Sequence, residues 1–97
     1  SLRAIQFYED KNDFFSAAKI ASKAGMLEKA IDNYEKSGNF LCAADAAEKA
    51  GMPELAMLFY ENAGRFDSAA QVAFSLGMSD KGKVYSTIAK LSSWDRK

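Results

Sequence analysis

The fold is decided by one stretch of the chain, Gly38-Asn39-Phe40-Leu41-Cys42-Ala43-Ala44-Asp45-Ala46-Ala47-Glu48-Lys49-Ala50-Gly51-Met52. It reads as a glycine, an aromatic residue, an alanine-lined helix, and a second glycine 13 residues after the first. The spacing continues along the chain, with glycines at positions 25, 38, 51, 64 and 77 and an asparagine at position 12. Glycine and asparagine are the residues that end a helix in the left-handed conformation at low cost. The stretch therefore predicts a turn every 13 residues.

Two kinds of 13-residue segment alternate, so the sequence repeats every 26 residues. The segments Ala4–Tyr8, Ala30–Tyr34 and Ala56–Tyr60 share this step, as do the aromatic residues at positions 14, 40 and 66. Apolar residues at 40, 43, 44, 47 and at 66, 69, 70, 73 follow the i, i+3, i+4, i+7 order of one helix face. The pattern predicts an all-α chain of about seven helices, over residues 2–11, 13–24, 27–37, 40–50, 53–63, 66–76 and 79–91. We call the first helix of each pair an A helix and the second a B helix.

The connections between these helices carry two alternating kinds of capping residue. Each B helix is followed by Gly-Met and then by an acid, which the dipole of the next helix favours in its first turn. Each A helix is followed by a residue at the N-cap position of the B helix, and Asp13 and Asn39 can fill that role. Arg65 cannot, which predicts a weaker cap there. Connections this short make neighbouring helices antiparallel.

Length and composition indicate one small domain that does no chemistry. The 97 residues suffice for a helical-repeat domain over 1–91, followed by a polar tail, 92–97, in which Trp94 packs over the last hairpin or belongs to a further helix. The chain lacks histidine, the commonest general base, and its single cysteine cannot form an all-thiolate zinc site. We therefore expect no enzyme, no cofactor and no metal.

Charge and hydropathy narrow the classes of partner. The 13 basic and 13 acidic residues cancel, which gives no reason to expect nucleic-acid binding. No apolar run is long enough for membrane insertion. The single cysteine excludes an internal disulfide and favours an intracellular, cytoplasmic location. Because the sequence begins at Ser1, already within a helical pattern, we expect a fragment of a longer protein.

Two short motifs are better explained by the repeat than by catalysis. Gly77–Val84 approaches a phosphate-binding P-loop, but Val84 stands where that motif needs serine or threonine to hold magnesium. Ser16 and Lys19 match the Ser-x-x-Lys of serine acyl-enzymes. Ser16 shares its repeat position with Cys42 and Ser68, and we interpret all three as small packing residues.

The repeat resembles the tetratricopeptide repeat (TPR). An aromatic residue, a glycine four residues later, an aromatic two later and then small residues recur in that order, at Tyr34, Gly38, Phe40, Ala43, Ala47 and Ala50. The unit of 26 residues is shorter than the 34 of that family, and is similar to the TPR-like solenoids of vesicle-coat and intraflagellar-transport subunits. The resemblance implies a right-handed α-solenoid of three and a half helix-turn-helix repeats, in which the A helices line a concave surface that binds peptides.

Three rows of residues on the A helices would line that groove. We expect a partner protein or peptide with basic residues, because glutamates recurring every 26 residues would form an acidic strip. A merely solvated charged face is the alternative interpretation of the same residues. The predicted partner-binding residues are Gln6, Glu9, Asp10, Asp32, Glu35, Lys36, Leu58, Glu61, Asn62, Val84 and Ile88.

An architectural role is the second hypothesis. The first helix carries apolar Leu2, Ile5 and Phe7, which we expect to be exposed at an open end, whereas capping repeats normally have a polar outer face. The chain would then be a segment of a longer solenoid scaffold, of the coat or transport type, that stacks or self-associates through its terminal helices.

Overall fold

The computed structural model describes the backbone of residues 2–95 and the side chains of residues 2–91, and this part of the chain contains seven α-helices and no strand. The helices begin and end within two residues of the predicted positions, except at the end of the last one. Their bounds are α1 Leu2–Asp10, α2 Phe14–Lys23, α3 Leu27–Lys36, α4 Phe40–Lys49, α5 Pro53–Asn62, α6 Phe66–Ser75 and α7 Ser79–Asp95.

The turns between helices lie at the 13-residue step. Gly38 has a φ of +79°, and Asn12, which takes the place of glycine in the first turn, has a φ of +61°. At each of the six turns the next amide donates to the carbonyl five residues before it, as Asn39 N does to Tyr34 O at 3.0 Å. This is the Schellman arrangement, and it satisfies carbonyls that a helix end leaves unpaired.

The N-caps of the B helices follow the sequence prediction. The Asp13 carboxylate accepts from the Ser16 amide at 3.3 Å, and the Asn39 side chain accepts from the Cys42 amide at 3.3 Å. Arg65 has nearly the same backbone angles as Asn39 but makes no side-chain cap bond. The prediction of a weaker cap on α6 is therefore confirmed.

Helix α7 is longer than predicted, because it runs to Asp95 instead of ending near residue 91. A turn at the 13-residue step would fall at position 90, which is occupied by Lys90 in place of glycine or asparagine. Nothing there favours the left-handed conformation, so the helix continues. The prediction for Trp94 concerns a side chain outside the described residues.

The helices form a two-layered, solenoid-like stack of the hairpins α1–α2, α3–α4 and α5–α6, followed by α7. Each helix packs against its neighbours in sequence, and the chain measures 44 × 31 × 14 Å along its principal axes. The smallest dimension is that of two packed helices, about 9 Å between axes plus the Cα cylinder. Within the described residues, no helix is both long and apolar enough to cross a membrane.

The core consists mainly of alanines on the B helices and of aliphatic and aromatic residues on the A helices. Small buried side chains allow the helix backbones to approach closely, and helices of ten residues depend on such packing because they are marginal alone. The fully buried alanines of the B helices are Ala17, Ala18, Ala21, Ala43, Ala44, Ala47, Ala69 and Ala73.

Candidate interaction surfaces

The predicted partner-binding residues lie together on the outer side of the A helices, which we call the A face. Two of the predicted rows are exposed on successive A helices, and only Ile88 among their members is half-buried. Positions three and four residues apart share one side of a helix, so these rows form one surface. The exposed members are Gln6, Asp10, Asp32, Lys36, Leu58, Asn62 and Val84.

The A face changes from polar to apolar along the stack. Leu58 on α5 and Val84 on α7 occupy equivalent positions, and their side chains are 51% and 56% exposed. On α3 the same position is Asp32, whose carboxylate pairs with Lys36 at 3.2 Å. An exposed pair of this kind contributes little to stability, so its charges remain available to a partner.

In the third predicted row, Glu9, Glu35 and Glu61, two of the three carboxylates bond side chains of the next A helix. The Glu9 carboxylate accepts a hydrogen bond from Asn33 Nδ2 at 2.8 Å and lies 3.7 Å from Lys29 Nζ. Glu61 accepts from the Tyr85 hydroxyl at 2.8 Å. Both carboxylates therefore connect one A helix to the next. Among the described residues Glu35 has no such partner, so it contributes to the acidic part of the A face together with the exposed Asp10 and Asp32.

Asn33 and Tyr85, the partners of these glutamates, belong to a further row at positions 7, 33, 59 and 85, which we call the joint row. The sequence analysis did not predict this row. Phe59 stacks on Phe40 and Tyr85 stacks on Phe66, each with ring centroids 6.3 Å apart. Each ring thus packs against the B helix of the preceding hairpin. The regular spacing of three aromatic residues in this row was the pattern that could have revealed it.

The polar groups of the joint row are constrained by burial. Burial, followed by the hydrogen bond from its hydroxyl to Glu61, raises the pKa of Tyr85 to about 12. Asn33 is fully buried, and its Nδ2 donates to Glu9 and to the Lys29 carbonyl. Its Oδ1 is buried without a hydrogen-bond partner among the described residues. Because both neighbours of Nδ2 are acceptors, rotating the amide would not correct this.

The first helix shows which of its apolar residues face outwards. Ile5 is fully buried, so the expectation that it would be exposed is wrong, whereas Leu2 and Phe7 are 61% and 52% exposed. Ile5 is equivalent to Ile31 and Met57, which are also buried. Ile5 is part of the buried core cluster, while Phe7 belongs to the joint row and is exposed.

A pocket of about 350 Å³ opens on the opposite side, between the B helices. Its wall includes Tyr34, Leu41, Cys42 and Tyr60. The Tyr60 hydroxyl donates to the Glu48 carboxylate at 2.6 Å, and burial together with this bond raises the pKa of Tyr60 to about 12. Cys42 is half-buried in helix α4, and the chain has no histidine to activate its thiol.

In the structure, the P-loop-like segment Gly77–Val84 forms a turn and the first part of helix α7, as the repeat predicts. Gly77 is in a turn with a φ of +78°, and the segment follows helix α6, not the strand that the motif needs. Gly82 is buried inside α7. Within the described residues, no three His, Cys, Asp or Glu side chains form a group that could hold a metal ion.

Comparison with protein-family models, with curated proteins and with solved structures found no significant match to this chain. The description of the fold therefore rests on the structure itself, which consists of helical hairpins repeated every 26 residues.

Proposed function

We propose that this chain is a non-enzymatic protein–protein interaction module that binds a partner peptide or helix on its A face. The observation that supports this most directly is the exposure of Leu58 and Val84 at equivalent positions on consecutive A helices. Large apolar side chains exposed side by side commonly mark a site of protein association. On α5 itself, the neighbouring residues Ala56, Met57 and Phe59 are buried.

The chemistry of the A face defines the partner. Leu58 and Val84 would receive apolar side chains from one side of an amphipathic helix or an extended peptide. Asp32 and Glu35, one hairpin earlier in the stack than Leu58, would favour a lysine or arginine in the same segment through charge complementarity. The partner is therefore a segment with apolar residues at one end and basic residues at the other.

The tetratricopeptide resemblance supports the same surface, because A helices line the ligand groove in that family. A cytoplasmic adaptor or transport scaffold is the setting that this resemblance implies. The architectural alternative, a segment of a longer coat-type solenoid, is favoured by a separate observation, the exposure of Phe7 on the first helix.

The proposal can be tested with peptides selected from a random display library on the unmodified chain. We expect the selected peptides to combine apolar with basic residues, and to lose at least tenfold in affinity when Leu58 or Val84 is changed to aspartate. Glu35→Lys should weaken binding of the basic peptides. Glu61 is not a suitable position for this test, because its carboxylate holds Tyr85.

A matched control is Leu41→Asp, which changes a leucine of similar exposure on the B-helix side. We expect this variant to bind the peptides as the unmodified chain does. If Leu41→Asp abolishes binding while the A-face variants retain it, the binding surface is the pocket between the B helices and the proposal is wrong.

A further inference from the structure

The joints between hairpins share two kinds of contact, each present in two of the three joints, and the first joint adds a third. A ring of the joint row stacks on the first residue of the preceding B helix, as Phe59 does on Phe40. A glutamate of the preceding A helix bonds the joint-row residue, as Glu61 does Tyr85. In the first joint that glutamate, Glu9, also lies 3.7 Å from Lys29 Nζ.

Helix α1 presents the receiving half of the same joint. Phe7 is 52% exposed, although its equivalents Asn33, Phe59 and Tyr85 are 0%, 3% and 4% exposed. Arg3 stands at the position of Lys29, 26 residues earlier, and is exposed. The phenylalanine and the glutamate that complete the internal joints would both come from a preceding hairpin.

We propose that the exposed side of α1, formed by Arg3, Ala4 and Phe7, binds a helical hairpin of this same repeat type. The occupant carries phenylalanine as the first residue of its second helix and glutamate near the end of its first. The phenylalanine stacks on Phe7, and the glutamate pairs with Arg3. This surface is distinct from the A face, so the inference goes beyond the proposed function.

Charge supports this choice of occupant. Phe7 lies between two basic residues, Arg3 and Lys11, and Lys11 Nζ is 4.7 Å from the centroid of its ring. Such a site attracts a carboxylate. In each of the first three A helices, the position that faces the next A helix is a glutamate: Glu9, Glu35 and Glu61.

The far end of a second copy of this chain does not have the required chemistry. Thr87 stands at the glutamate position of α7, 26 residues after Glu61. Helix α7 also continues through Lys90, where the hairpins have their turn. Head-to-tail stacking through α7 would therefore supply neither the carboxylate nor a B helix that begins after a turn.

The repeat allows an in-register test, in which a copy of residues 27–52 is fused directly before Ser1. Register is kept because Ser1 is equivalent to Pro53, the residue that follows Met52 in the chain. We expect the fused chain to unfold in one transition with a higher urea midpoint than the original chain. Phe7→Ala should lower the midpoint of the fused chain several times more than that of the original, in which Phe7 is half exposed.

Two controls identify the contacts responsible. Placing Phe40→Ala and Glu35→Gln in the added copy alone should remove most of the gain in midpoint. Leu58→Asp, on the A face, should leave the gain unchanged, so failure of this inference is distinguishable from failure of the proposed function.

The inference is overturned if the added hairpin unfolds in a separate transition, or if Phe7→Ala has the same effect in both chains. Sedimentation of the original chain provides an independent check, for which we expect a monomer. A dimer that Phe7→Asp dissociates would assign this surface to a second copy and would also overturn the inference.

Discussion

At the scale of single residues, Asn33 is the exception in the joint row, whose other members are aromatic. It fills a fully buried position with a side chain that leaves one acceptor unpaired. An unsatisfied buried polar group costs about 1–3 kcal/mol. The joint between the first and second hairpins is therefore expected to be weaker than those formed by Phe59 and Tyr85.

Asn33→Tyr should repair this joint. The new ring would stack near Phe14 as Tyr85 does on Phe66, and its hydroxyl would reach Glu9 as that of Tyr85 reaches Glu61. We expect the free energy of unfolding to rise by about 1–3 kcal/mol, because the orphaned acceptor is removed, as measured by urea unfolding.

Phe59→Tyr is the matched control for that substitution. It adds a hydroxyl at the same repeat position but removes no unpaired acceptor, so it should change stability by less than Asn33→Tyr. A fall in stability for Asn33→Tyr would show that the first joint is too narrow for the ring.

Tyr85 predicts a specific loss of stability in alkali. Its pKa is raised to about 12 in the folded chain, whereas in the unfolded chain it is about 10. The stabilisation is complete below pH 10, because both states are then protonated. Between pH 10 and pH 12 the unfolded state loses its proton first, so stability falls as pH rises.

Thermal midpoints measured from pH 9 to pH 12 should therefore fall more steeply for the original chain than for Tyr85→Phe. The variant keeps the ring stack and the lysines that also titrate in this range, so the difference isolates the hydroxyl. Parallel slopes for the two proteins would mean that Tyr85 ionises at its ordinary pKa.

At the scale of helices, the sequence predicted the turns more accurately than the contacts. The 13-residue step located every helix boundary in residues 2–79, because glycine and asparagine determine where the left-handed residue falls. The end of α7 was predicted wrongly because position 90 holds a lysine instead of glycine or asparagine, so the helix continues. Each A helix packs against the helices next to it in sequence, and side-chain hydrogen bonds also join α1 to α3 and α5 to α7. Periodicity alone did not show which residue faces which of these neighbours. Ile5 was therefore misplaced, and the inward contacts of Glu9 and Glu61 were not foreseen.

Helices α6 and α7 show a compensating pair. Gly82 occupies a helical position that is alanine in the other three A helices. A Cβ there would lie 2.7 Å from the ring of Phe74, whose equivalents are Ser22 and Glu48. The phenylalanine ring thus fills the space that an alanine methyl group fills elsewhere.

The pair predicts that the effect of Gly82→Ala depends on Phe74. In a Phe74→Ser background, Gly82→Ala should stabilise the chain by about 0.5–1 kcal/mol, the usual gain of alanine over glycine within a helix. With Phe74 present, the gain should be smaller or reversed, because the ring must leave its site. Urea unfolding of the four proteins measures the coupling, and equal gains in both backgrounds would show that the contact has no energetic role.

At the scale of the whole molecule, a stack of hairpins is stabilised by its nearest-neighbour joints. The joint between the first hairpin and the rest contains Asn33 and a tilted contact between the rings of Phe15 and Tyr34, whereas the following joints contain stacked rings of the joint row. We expect amides of α1 and α2 to exchange with solvent through an opening of lower free energy than those of α4 and α5. Hydrogen exchange followed by mass spectrometry would measure this gradient.

The same measurement on Asn33→Tyr separates a local weakness from end fraying. If Asn33 is the cause, protection should rise most in α1 and α2 and least in α6, because the new contacts lie only at the first joint. A uniform rise across all helices would show instead that the hairpins open together, so that strengthening any joint stabilises the whole stack. In that case the stability of the chain would be set by the sum of its joints and not by the weakest one.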